Sequence, residues 1–151
     1  MKISSPSFAH EGKIPSKYTC DGENVNPPLV FSDVPQNAKS LALIMEDPDV
    51  PKHLRADGMW DHWVIFNIPP ETKGIAENSQ PKGTAGITTS SKLKYGGPCP
   101  PDREHRYYFK LFALDNMLNL PEGATKEQVL AAMKGHILAE AVLMGRYQRV
   151  S

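Results

Sequence analysis

The chain has 151 residues, a single-domain length at which folding buries roughly 70% of the unfolded surface. Seventeen basic and seventeen acidic residues leave no net charge, which excludes the broad electrostatic footprint of a nucleic-acid or anionic-membrane binder. Met1-Lys2-Ile3-Ser4-Ser5-Pro6 leads into no apolar stretch, so neither a signal peptide nor a membrane span is expected, and the cytoplasm is the expected compartment.

Residues 1–151 read as one β-rich domain. Fourteen prolines outnumber eleven glycines and cluster between apolar runs, at 27–28, 48–51, 69–70 and 98–101, as in a many-stranded fold. The first expected strand is Leu29–Ser32. The second is Leu41–Glu46, which runs into Asp47-Pro48-Asp49-Val50-Pro51, a rigid non-helical turn. Trp60-Asp61-His62-Trp63 then leads into a third strand, Val64–Ile68. From Pro70 to Lys94 the chain is polar, with Gly74, Gly83 and Gly86, and predicts loops with one short strand. Tyr95-Gly96-Gly97-Pro98-Cys99-Pro100-Pro101 follows, and its adjacent glycines let the backbone approach a ligand and aim amide N–H groups at it.

His105-Arg106-Tyr107 opens a fourth strand, Tyr107–Leu114, apolar on both faces and so expected to be central and covered on both sides. Pro121-Glu122-Gly123 stops that segment. Thr125 with Gln128 forms a capping box, and Val129, Leu130, Met133, Ile137 and Ala141 recur at helical spacing. Gly135 would separate a first helix from a second that begins near His136.

Acids, a histidine and indoles at the mouths of adjacent strands suit a pocket. Asp47 and Asp49 would equally serve to cap their own turn. His62 reads either as a satisfied structural histidine or as a pocket group whose charge a nearby acid would favour. His105, Tyr107 and Phe109 share one face, so Tyr107 is either a pocket residue or a core aromatic, while Arg106 points the other way and pairs structurally. His10, His53 and His136 lack metal-ligand spacing, and Cys20 and Cys99 form no CxxC unit, so no metal or cofactor is expected.

Taken in order, DPDVP, WDHW, YGGPCPP and HRYYF resemble the phosphatidylethanolamine-binding protein family, in its bacterial and archaeal Raf-kinase-inhibitor-like branch. Thr19-Cys20-Asp21-Gly22 and Gly145-Arg146-Tyr147 extend the resemblance over nearly the whole chain. The glycine loop is shorter than in animal relatives, which supports the prokaryotic branch. The resemblance implies two packed antiparallel sheets of Greek-key type, with the C-terminal helical pair flanking one side. It implies that Asp47 meets the ligand, that Asp49 braces the rim or wall, that His62 lies on the pocket floor beside Asp47, and that Trp60 is wall and Trp63 core. Gly96, Gly97 and Pro98 would supply the loop, and His105 and Tyr107 would complete the pocket. Cys20 and Cys99 would sit in neighbouring rim loops. A cytosolic chain keeps such thiols reduced by default, and a core of this size folds without a crosslink.

The expected function is binding of a small anion or phosphoryl group, with His62 supplying positive charge, Gly96 and Gly97 donating amides and Tyr107 fixing orientation. No enzymatic activity, nucleic-acid partner or stable membrane association is expected, and the chain would be a monomer or homodimer. Two other readings stand beside it: a hydrolase or transferase using His62 and Asp47 as an acid–base pair, and an inhibitor of a kinase or protease that reads a phosphorylated partner.

Overall fold

The computed structural model describes residues 1–149. The large sheet has five antiparallel strands in the order β6-β4-β3-β7-β8, and the small sheet has three in the order β1-β2-β5. In chain order these are β1 Lys2–Ser4, β2 Leu29–Ser32, β3 Ser40–Asp47, β4 Trp60–Ile68, β5 Gly74–Ile75, β6 Thr84–Ala85, β7 His105–Leu114 and β8 Ile137–Tyr147. A 3-10 turn at Ser16–Tyr18 and the helix α1, Lys126–Met133, complete the fold.

Period-two alternation distributes the large sheet's side chains between two cores. Leu41, Leu43, Met45, Trp63, Ile65, Tyr107, Phe109 and Leu111 face the small sheet and meet Ile3, Leu29, Phe31 and Ile75. On the other face Ala42, Ile44, Val64, Phe66, Phe112 and Leu114 pack against Leu118, Ala124, Val129 and Met133. Every residue of β3 is therefore buried, and this strand is the centre of the sheet. β7 lies beside it and is covered on both faces only from Leu111 onward; earlier, Arg106 is exposed and Tyr108 and Lys110 are half-buried.

Mainly-β architecture and two antiparallel sheets agree with the sequence reading. Of the expected helical pair, only the first helix exists. Thr125 caps it with the reciprocal Gln128 box, and Gly135 follows at φ +83°, a left-handed conformation that suits glycine after a helix end. The second helix is instead the eleven-residue strand β8. Ile137 and Ala141 extend the helical spacing of α1, yet Ala141, Leu143, Gly145 and Tyr147 are buried in alternation. The open edge of β7 decides between the two patterns, because it supplies ten cross-strand partners to β8. The stretch 70–94 holds two short strands, β5 and β6, rather than one.

Cys20 and Cys99 are bonded, with Cα atoms 5.5 Å apart and a sequence separation of 79. They lie in adjacent loops as expected, but the thiols are not free. Three hydrogen bonds fasten the same loops: Cys20 N–H to the Pro98 carbonyl at 3.1 Å, Gly97 N–H to Asn24 Oδ1 at 2.8 Å and the Tyr95 hydroxyl to the Tyr18 carbonyl at 2.7 Å.

Closing a loop of this length restricts the unfolded chain by about 2–4 kcal/mol. Melting with and without a dithiol reductant should therefore give midpoints differing by roughly 10 °C, the reduced form being lower. Coincident melts would mean that the crosslink adds nothing to stability.

Candidate functional site

The turn after β3 has few donors of its own, because Pro48 and Pro51 lack N–H groups. Its two acids are held by opposite faces of β7. Asp49 takes Arg106 in a fork: Oδ1 accepts from Nη2 at 2.8 Å, and Oδ2 accepts from Nε at 2.9 Å and from the Arg106 backbone N–H at 2.8 Å. Arg106 holds the Asp49 carboxyl below the usual carboxylate range against the opposing effect of burial. Asp47, 2% exposed, points inward. Its Oδ1 accepts the Asp49 N–H at 2.7 Å, and its Oδ2 lies 2.6 Å from His105 Nδ1. The other nitrogen of His105, Nε2, lies 2.7 Å from Asp102 Oδ1. Burial pushes the Asp47 carboxyl above its usual range despite the bonds from His105 and the Asp49 amide.

His62 is 7% exposed and bonds to the glycine loop, not to an acid. Its Nδ1 lies 2.8 Å from the Gly96 carbonyl, and the Gly96 N–H returns to the His62 carbonyl at 3.0 Å. A carbonyl only accepts, so Nδ1 carries the hydrogen. The His62 pKa is pushed down to about 4, chiefly by burial, with the Gly96 bond opposing that fall and His105 adding to it. The imidazolium expected from the sequence is replaced by a neutral ring. Asp47 does not supply the charge because it is engaged with His105.

Between these groups lies a cavity of about 400 Å³, lined by Asp47, Trp60, His62, Gly96, Gly97, His105 and Tyr107 of the anticipated residues. Asp49 and Pro98 do not line it; Asp49 braces the turn, and the Pro98 carbonyl holds Cys20. Trp63 is core, its ring edge-on to Tyr95 at 5.4 Å. Asp61 faces the α1 side, where its Oδ1 lies 2.7 Å from Lys126 Nζ, an ion pair not aligned as a hydrogen bond.

Neither glycine amide is free for a ligand, since Gly96 N–H goes to His62 and Gly97 N–H to Asn24. Gly97 is glycine because a Cβ there would meet the Tyr18 carbonyl oxygen at 2.3 Å. Its close approach is to the neighbouring loop. The Tyr107 hydroxyl is buried with no hydrogen-bond partner, and its ring meets His62 edge-on at 5.3 Å.

Cys20 and Cys99, expected in rim loops, line the cavity too, and sequence reasoning did not single out Asn24, Val50, Leu54, Ser90, Pro100 or Pro101, which also line it. It also missed Asp102, whose place three residues before His105 in PPDREH was the available signal. Val50 lies within the acidic turn and Leu54 just after it, and neither carries a pattern that marks it as lining. No lining residue is lysine or arginine. Among the described residues, no three His, Cys, Asp or Glu side chains are grouped to hold a metal ion, and no helix is long and apolar enough to cross a membrane.

The family model described as phosphatidylethanolamine-binding protein matches residues 4–148. The chain belongs to that family. It is similar to a UPF0098 protein of Chlamydia muridarum, 52% identical over 99% of both chains. It is also similar to one of the archaeon Methanothermobacter thermautotrophicus, 51% identical over 99% of both. A crystal structure described as a phosphatidylethanolamine-binding protein homolog from Chlamydia trachomatis superposes with a TM-score of 0.96 at 50% identity, covering 99% of this chain and 97% of that one. YbcL of E. coli, described as a member of the mammalian family, superposes at 0.88 with 25% identity, over 99% and 98%.

The Asp49–Arg106 fork makes a prediction about acid. A carboxyl whose pKa is lowered by folding adds stability above its unfolded pKa, and that stability is lost as pH falls through the folded value. Arg106→Ala should cost about 1–2 kcal/mol at pH 7, a range that allows for the half-exposed guanidinium. Denaturant titrations should show the deficit shrinking below about pH 4, where the unfolded carboxyl takes up its proton. A deficit independent of pH would assign the loss to packing on Tyr108.

Proposed function

We propose that this family member is a receptor for a small acidic group, a phosphoryl or carboxyl end, and a binding protein rather than a catalyst. The observation that carries this reading is the Tyr107 hydroxyl, buried beside the cavity without a partner. An unpaired buried hydroxyl costs about 1–3 kcal/mol, and an oxygen of a bound acid removes that cost. Trp60, Val50, Leu54, Pro100 and Pro101 offer the rest of the ligand an apolar wall. The name of the family, shared by the description of the similar Chlamydia trachomatis structure, favours a phosphoryl group. A phosphorylated side chain on a partner protein would present the same group, which is how a regulatory role would work.

The hydrolase alternative relies on Asp47 orienting His62. Asp47 is instead committed to His105, and both His105 nitrogens are engaged by carboxylates. No acid–base pair remains with a free proton-transferring nitrogen on the histidine that faces Asp47. The disulfide bears on compartment, since such bonds persist in oxidising surroundings and run against the cytoplasmic expectation.

Methyl phosphate titrated into 15N-labelled protein should shift the amide signals around His62, Gly96 and Tyr107. Tyr107→Phe should bind about 10–100-fold more weakly, the scale of one hydrogen bond to a charged acceptor. Its melting point should hold or rise, because the hydroxyl has no partner to lose. Equal affinity in the variant, or shifts confined to another face, would overturn the reading.

A further inference from the structure

One wall of the cavity is held by a covalent bond where backbone hydrogen bonds are scarce. Cys99, Pro100 and Pro101 belong to that wall. With Pro98 before them, the segment carries a single backbone N–H, that of Cys99, so no ladder can fasten it. It is tied at its ends instead. At one end Gly97 N–H goes to Asn24 Oδ1 and the Pro98 carbonyl accepts from Cys20 N–H. At the other, Asp102 Oδ1 meets His105 Nε2 at 2.7 Å. Between those ends the tether is the Cys20–Cys99 bond.

The two sides of the bond are anchored unequally. Around Cys20, Thr19 Oγ1 donates to the Ser16 carbonyl, Asp21 accepts from the Tyr147 hydroxyl and the Arg149 guanidinium, and Asn24 N–H bonds to the Lys17 carbonyl. Cutting the bond therefore frees the proline side. Neither cysteine belongs to a strand and neither is part of the two hydrophobic cores, so the sheets do not depend on the bond. Cys99 is exposed and both cysteines line the cavity, which lets a thiolate reach the bond in the folded chain. Exposed disulfides are the labile, regulatory ones, whereas buried structural ones resist reduction.

We propose that the Cys20–Cys99 bond is a redox latch on the cavity, opened by a dithiol while the chain stays folded, and that its opening releases residues 98–101 from the wall. One thiolate of the dithiol attacks Cys99 Sγ and displaces Cys20 as a thiolate, which takes up a proton. The second thiolate then attacks the reductant's own sulfur in the mixed disulfide and displaces Cys99, which is protonated in turn. Two electrons pass to the cysteines, and the dithiol leaves as a cyclic disulfide. The cavity of about 400 Å³ is thus the oxidised form, and reduction widens its mouth on the Pro100–Pro101 side.

The test treats folded 15N-labelled protein with dithiothreitol in the absence of denaturant and traps thiols with iodoacetamide for mass spectrometry. Both cysteines should become alkylated, at a rate that rises with dithiol concentration. Adding 1 M urea should leave that rate within about twofold, whereas a route through global unfolding would gain about tenfold. In relaxation measurements the order parameter of the Cys99 amide should fall from about 0.85 to below about 0.6 on reduction, while β3 and β7 amides keep theirs. Cys20→Ser combined with Cys99→Ser should show the same loosening without reductant. Should that variant not fold, the reduced native protein decides alone. A bond that yields only in step with unfolding would overturn the inference. So would loss of the folded spectrum on reduction, or a Cys99 amide as rigid after reduction as before. None of these readouts uses a ligand, so either result leaves the receptor reading standing.

Discussion

The site depends on how β7 holds the acidic turn that follows β3. Asp47 and Asp49 are two residues apart in a turn whose prolines deny it a backbone ladder, so side chains must fix it. Alternation along β7 sends His105 inward and Arg106 outward, and each takes one of the acids. The outward pair is half-exposed on its arginine side only. The inward pair is buried, and its bonds leave Asp47 in one orientation. The cavity floor, the Trp60 wall across from Asp47 and the loop carrying Asp102 are all positioned by that contact. A turn able to swing would have no reason to keep a cavity open beside it.

Most of the fold and many of the cavity's residues were legible, because the motifs sit at strand mouths and the strands announce themselves by β-branched and aromatic runs. Leu29–Ser32 was read at its observed bounds, β3 was read short by the polar residue at each end, and β4 was read short by the Trp60–Trp63 segment at its start. The pairing of His62 with Asp47 was not legible, because it depends on register. Met45 pairs with Trp63 and Glu46 with Asp61, so the shift between them skips His62 and leaves it without a cross-strand partner on β3. Asp47 then falls opposite Trp60, and β7 provides the nearer histidine. No pattern within either segment encodes that offset.

β8 illustrates a different limit. Its sequence satisfies a helical period and a strand period together, and only the unpaired edge of β7 selects between them. The segment at 9–14 then covers the C-terminal half of that new edge, with Ile14 N–H on the Arg146 carbonyl and Arg146 N–H on the Gly12 carbonyl, each at 2.8 Å. Long-range pairing, absent from any local window, overrode a good local signal.

The glycine loop shows how residues that suggest a binding loop can serve the fold. Two adjacent glycines suggested free amides, but close packing of the Asn24 loop and the strand end at His62 uses both. The Gly96 carbonyl in turn fixes Nδ1 of His62 as the nitrogen that holds the hydrogen. With no lysine or arginine in the lining and no net charge on the chain, long-range attraction contributes little. Any polar contact made there would rest on short hydrogen-bond geometry, since an unmatched polar atom away from water is expensive.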